Sequence, residues 1–208
     1  MNEIKISVII PCYNQEDLVV KAIDSIPKRN DIEIIVIDDG SLDCSFDKIL
    51  KYRNEHPEML NLILLYNEEN KGVAYTVNRG YDVAKGEYIV LLGSDDYFYT
   101  NAFNQIIEEL DGTDLVYFDI KVNNGDVWNV NNDSKYALCG SVKFMRRDFI
   151  ADTRCPENKK WGEDVNFYNE LIAKKPTEKF THIIVKHYNY PRANSLTDLA
   201  RKGLLSDE

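Results

Sequence analysis

Apolar residues fall into short blocks separated by polar turns through the first half of the chain. Residues 4–10 form an apolar, β-branched run of strand length, the pattern of a strand buried on both faces. Asn14 stands as a helix cap ahead of Leu18, Val19, Ala22, Ile23 and Ile26, which recur at helical spacing, and Pro27 closes that helix. Residues 32–37 predict a second buried strand, followed by the turn Asp38-Asp39-Gly40-Ser41. A polar helix near Ile49, a strand over 62–66, a helix over 73–84 and a strand over 88–92 continue the alternation. The last of these runs straight into Gly93-Ser94-Asp95-Asp96. Strands alternating with helices predict an α/β fold with a mainly parallel sheet flanked by helices. Ligands of such sheets bind beyond the carboxyl ends of the strands.

The second half changes character. Thr100 is placed to cap a helix holding Phe103, Ile106, Ile107 and Leu110, and residues 115–120 predict another strand. Asn124-Gly125 is a hairpin signal, so antiparallel strands are expected to join the sheet here. Residues 142–150 and 165–173 predict helices, and residues 181–188 a late strand. No Gly/Ser linker or repeat divides the sequence. It reads as one domain over 1–208, with a nucleotide-binding half (1–99) and a half that shapes an acceptor site (100–208).

Composition narrows the partners. The net charge of −10 disfavours a nucleic-acid backbone, which requires a basic face. A single nucleotide needs only local donors or a metal. Cys12, Cys44, Cys139 and Cys155 include no CxxC pair, and free thiols in a reducing compartment are expected. The N-terminus lacks the basic head of a signal peptide, and no apolar stretch approaches the ~20 residues of a membrane span. A cytoplasmic location is expected, with peripheral contact at the inner face of the membrane left open.

Paired carboxylates are the candidate chemistry. Asp95 and Asp96 close a buried strand, where carboxylates are costly unless compensated; a divalent cation (Mn²⁺ or Mg²⁺) compensates them and bridges a diphosphate. The alternative is a polar turn, and the matching Asp38-Asp39 turn favours the site. Asp39 reads equally as an acceptor for a base or ribose hydrogen bond and as an ordinary Asp-Gly turn. Glu163 and Asp164 open a predicted helix, as caps or with Asp164 as a general base. Trp161 packs on a sugar face or belongs to the core. His187 and Arg192 lie in a late segment that can fold over the site, Arg192 as a phosphate contact or a solvated arginine.

The segments VIIPCYNQEDLVVKAIDSI, EIIVIDDGSLD, NKGVAYTVNRGYDVAKGEYIVLLGSDDYF and WGEDVNFYNEL occur in that order. Together they resemble the GT-A glycosyltransferases of family 2, densely up to about Tyr99 and again near residues 161–171. The resemblance implies a GT-A fold and a nucleotide-diphosphate-sugar donor, by family habit a UDP-sugar. It also implies a divalent metal, inversion at the anomeric carbon, and a glycan, lipid-linked or protein acceptor. By position it implies that Pro11, Cys12 and Tyr13 pack on the base and that Asp39 holds base or ribose. Asn70, Lys71, Gly72 and Ser94 then lie beside the nucleotide. Asp95, followed by Asp96, takes the metal-ligand position and Asp164 the catalytic base. Two positions depart from the family pattern: Gly93 replaces the first aspartate of the metal motif, and Val77 an arginine before Asn78. The absence of C-terminal membrane helices leads to the expectation of single-sugar transfer. A nucleotide-binding protein of the same fold with weak or lost activity is the alternative. A nucleotidyltransferase fits less well, because the early turn 11–17 carries no Lys or Arg for a triphosphate.

Overall fold

The structure, a computed structural model, describes residues 3–59, 61–131, 137, 139–159, 162–193, 195, 198–199 and 202–203. Its first half runs β1 (Ile6–Cys12), α1 (Val19–Asp24), β2 (Ile32–Asp38), α2 (Ser45–Glu55), β3 (Leu62–Tyr66), α3 (Val73–Val83) and β4 (Tyr88–Leu91). There follow β5 (Tyr97–Phe98), α4 (Thr100–Ile107), β6 (Leu115–Val122), β7 (Val127–Trp128), β8 (Lys143–Arg146), α5 (Arg147–Ile150), α6 (Glu163–Ala173) and β9 (Glu178–Tyr188). The strands form one mixed sheet in the order β3-β2-β1-β4-β8-β6-β9-β5, with β7 on β6.

The four strands β1 to β4 are parallel, and every residue of β2 is buried. Burial on both faces explains why β1, β2 and β4 read as largely apolar runs, while β3, at the sheet edge, is half-buried over most of its length. The chain winds outward from β1 through β2 to β3, then returns across β1 to β4. That reversal opens a crevice at the carboxyl ends of β1 and β4, where open α/β sheets bind ligands. Helix α3 packs on β1 and β2, and α4 on β9.

The second half joins the sheet by antiparallel pairing of β8 to β4 and to β6. The Asn124-Gly125 signal holds: Gly125 has φ 92° in the turn between antiparallel β6 and β7. The helix predicted over 142–150 is corrected. Residues 143–146 are strand β8, and only Arg147–Ile150 is helical. Val142, Phe144, Met145, Phe149 and Ile150 imitate a helical stripe, but wedging between β4 and β6 buries consecutive residues and removes the alternation that marks a strand. Two caps are also corrected. Leu18 precedes α1, while Asn14 has φ 52° and its Oδ1 accepts from Leu42 N–H at 2.8 Å, tying two loops together. Thr100 is the first residue of α4, and its hydroxyl donates to the Ser25 carbonyl. All four cysteines are free. No helix among the described residues is long and apolar enough to cross a membrane.

Candidate active site

Asp39 follows β2 and is buried. Its Oδ1 accepts from Asn67 Nδ2 at 2.7 Å and from Lys71 N–H at 2.9 Å; its Oδ2 accepts from Gly72 N–H at 2.9 Å. A carboxylate that accepts three donors fixes the backbone that supplies them. Asp39 thus folds the 70–72 loop against the crevice. Asn67 is held in turn by Arg79, whose Nη1 donates to Asn67 Oδ1 and to the Tyr66 carbonyl. Sequence reading missed Asn67 and Arg79; Arg79 lies one helical position beyond Asn78, on the other side of it from the family's arginine.

Gly40 allows this loop to approach. Its φ is +68°, and a Cβ there would lie 2.5 Å from the Glu69 carbonyl carbon and 2.8 Å from Asn70 N. Backbone atoms yield poorly, so Gly40→Ala combines left-handed strain with a clash. The expected cost is about 2 kcal/mol or more, read from the urea midpoint; an unchanged midpoint would show that the loop is not closely packed.

At the end of β1, Pro11 is half-buried, and Tyr13, just beyond it, is 39 % exposed. Cys12 is buried beside the Ser45 and Ser94 hydroxyls, and burial, with Asp38 adding to it, pushes its thiol up to about 12. A thiol so protonated packs and does not attack. Ser94 therefore joins the ends of β1 and β4.

The two aspartates after β4 differ. Asp96 is 3 % exposed; its Oδ2 accepts from Lys186 Nζ at 3.2 Å and its Oδ1 from Asn189 N–H at 2.9 Å. Burial raises the Asp96 carboxyl and the Lys186 ammonium pulls it back down. Asp95 is the more open, its side chain 20 % exposed, and Arg192 Nε lies 2.8 Å from its Oδ2. Arg192 does fold over the site. His187 stacks on Tyr97 at 4.6 Å, and its ring nitrogens meet Tyr99 Oη and Asn123 Oδ1, so it braces β9 against β5. The turn leaves little room for a side chain at Gly93: a Cβ would lie 2.9 Å from Asp95 Oδ1 and 3.0 Å from Asp96 Oδ2.

Asp164 lies in the first turn of α6, part-exposed. Its Oδ1 accepts from Val165 N–H at 2.9 Å and its Oδ2 from Gly140 N–H at 3.2 Å. The next residue, Ser141, accepts at Oγ from Lys186 Nζ at 2.7 Å, the same ammonium that meets Asp96. Two adjacent residues of one loop thus link the helical aspartate to the aspartates after β4. Lys186, Gly140 and Ser141 left no sequence signal. Trp161 lies outside the described residues.

Burial lifts the neighbouring Glu163 to about 7, with Asp164 adding to the shift. The folded chain therefore binds this proton more tightly than the unfolded one between about 4.5 and 7, and Glu163 costs stability as pH rises through that window. Glu163→Gln is expected to stabilise the fold at pH 8 by about 2 kcal/mol and to lose most of that advantage by pH 4.5. Urea titrations at the two pH values check it; an advantage that grows toward acid would contradict it.

A switch-point crevice, a loop folded onto a strand-end aspartate and an acidic turn after β4 place the chain among α/β domains that bind ligands beyond the carboxyl ends of their strands. The chain belongs to glycosyl transferase family 2, whose model matches residues 7–177. Its fold is GT-A. Crystal structures of S. aureus TarS 1–349 superpose with a TM-score of 0.74 at 25 % identity, covering 90 % of this chain and 61 % of TarS 1–349. The form in complex with UDP-GlcNAc gives 0.76 at 24 % identity over 93 % of this chain and 61 % of the other. The minor teichoic acid biosynthesis protein GgaB of Bacillus subtilis is 28 % identical, over 88 % of this chain and 22 % of its own length. The poly(ribitol-phosphate) beta-glucosyltransferase of Bacillus spizizenii is 36 % identical, over 47 % of this chain and 16 % of its own length. The chain thus spans only part of each of these relatives.

Proposed function

We propose that this domain transfers one sugar, with inversion, from a UDP-sugar to a hydroxyl of a glycan, lipid-linked or protein acceptor. The relatives named a poly(ribitol-phosphate) beta-glucosyltransferase and a minor teichoic acid biosynthesis protein favour a glycan-type or polyol-phosphate polymer among these. The observation that supports the reading is the hydrogen-bonded link from Asp164 through Gly140 and Ser141 to Lys186 and Asp96, which ties the helical aspartate to the turn after β4. In this scheme Tyr13 covers the base, and Asp39 with the 70–72 loop holds the uridine. Asp164 takes the proton of the acceptor hydroxyl as its oxygen attacks the anomeric carbon from the face opposite the leaving group. The bond from that carbon to the diphosphate breaks, and UDP departs with the bonding pair. In the same scheme Arg192, whose Nε lies 2.8 Å from Asp95 Oδ2, exchanges that carboxylate for the diphosphate.

A divalent cation fits beside Asp95, which is partly open, but less well beside Asp96, whose oxygens are both engaged. Among the described residues no three His, Cys, Asp or Glu side chains converge, so Mn²⁺ or Mg²⁺ would take further oxygens from the donor and from water. Bound there, the cation supplies positive charge to the leaving diphosphate.

The test is calorimetry with UDP, with and without Mn²⁺, alongside a donor panel assayed for released nucleotide. Metal-dependent binding with turnover supports the enzyme. UDP binding without turnover on any donor and acceptor supports a second reading, a binding protein of this fold. Gly93 and the pairing of both aspartates with cationic side chains favour that second reading.

A further inference from the structure

We propose that Lys143 is a positioning residue for Asp164, acting through Ala137, Cys139 and Gly140; this rests on the reading of Asp164 as the base. Lys143 sits on β8 and is 1 % exposed. A buried ammonium is expensive, and methionine or leucine would fill the same space. Its use here follows from what it holds. Nζ donates to the Ala137 carbonyl at 2.8 Å and to the Cys139 carbonyl at 2.7 Å, and lies 4.4 Å from the centre of the Tyr168 ring.

The residue after Cys139 is Gly140, whose N–H donates to Asp164 Oδ2. A Cβ on Gly140 would lie 3.3 Å from Asp164 Cβ and 3.5 Å from Leu91 Cδ1, so this segment is seated between the base and β4. Ser141 is pinned by Lys186. Lys143 therefore turns two carbonyls inward and leaves the Gly140 N–H pointing at Asp164. A base displaced by ~1 Å loses roughly 10²-fold in rate.

The groups facing this ammonium are the Cys139 thiol, Asp164 and Glu178, which favour its charge, and the Tyr117 and Tyr168 rings. Burial outweighs them and lowers Lys143 to about 8. Above that pH the amine is neutral and holds the carbonyls less firmly. Stability moves in the other direction. The unfolded chain keeps this proton to the ordinary lysine range, so raising pH from about 8 toward 10.5 favours the fold through this group. An alkaline loss of turnover that originates here is not unfolding.

The experiment is kcat and donor KM from pH 6 to 10 for the wild type, Lys143→Arg and Lys143→Met. The wild type is expected to lose kcat above about pH 8. Lys143→Arg keeps turnover and loses that limb, because guanidinium stays charged. Lys143→Met lowers kcat roughly 10- to 100-fold, with donor KM and UDP affinity within about twofold. A wild-type profile flat to pH 9.5, a limb unmoved in Lys143→Arg, or wild-type kcat in Lys143→Met each overturns the proposal. If neither variant folds, the wild-type profile decides it. Turnover retained by Asp164→Asn would instead overturn the assignment of the base; an inactive Asp164→Asn with unmoved Lys143 variants overturns only the role of Lys143.

Discussion

Asp164→Asn is expected to lower kcat by roughly 10²–10⁴-fold while leaving UDP affinity within about twofold. The substitution keeps size and shape; the asparagine carbonyl can accept the Gly140 N–H, and the amide nitrogen that replaces the other oxygen gives up only the bond from Val165 N–H. Helix α6 and residues 139–141 are therefore expected to stay in place, and the main property lost is the capacity to take a proton. Asp39, Asn67 and the 70–72 loop, proposed to hold the nucleotide, share no described hydrogen bond with this carboxylate. Single-turnover transfer with the preferred donor, beside calorimetry with UDP, separates the two effects. A loss under about fivefold would assign proton removal to another group, and a parallel loss of UDP binding would mean that the donor site had collapsed.

The first half was legible because its chemistry is local. Apolar runs bounded by turns locate the parallel strands, and residues 62–66 coincide with β3 residue for residue. The paired aspartates were visible as motifs because a strand end carrying Asp-Asp is unusual for a buried element. What they contact was not visible. Lys186 lies ninety positions from Asp96 and reads in sequence as one more lysine on an alternating strand. Lysine is almost never fully buried, so a reading by residue type places both Lys143 and Lys186 in solvent. The misread segment 142–150 has the same origin. Its periodicity is real, but the sheet partners on either side decide its conformation, and those come from distant positions. The late strand β9 also departs from simple alternation: His182 has φ 54°, and the pairing with β6 shifts register near it. That shift helps to set Lys186 toward Asp96 and His187 toward Tyr97 and Tyr99.

Lys186→Met is expected to cost about 3–5 kcal/mol, a large share of the roughly 5–15 kcal/mol by which a domain is stable. The ammonium and the Asp96 carboxylate are 1 % and 3 % exposed, so neither has water to fall back on. Removing the cation leaves Asp96 with the Asn189 N–H alone and leaves Ser141 without its donor. The deficit has a defined pH dependence. In the variant, Asp96 keeps the burial that raises its carboxyl and loses the group that lowers it. Its folded form then binds a proton more tightly than the unfolded chain, so stability returns as pH falls toward the ordinary carboxylate range near ~4. Lys186→Met/Asp96→Asn, which removes the stranded charge, is expected to recover at least about half of the loss at neutral pH. Urea midpoints for the two single variants and the double variant at pH 7.5 and pH 5 form the test. A Lys186→Met deficit under about 1 kcal/mol, of the size of a surface pair, would mean that this pair does not organise the site. A deficit that stays constant with pH would locate the cost in lost packing and not in the unpaired carboxylate.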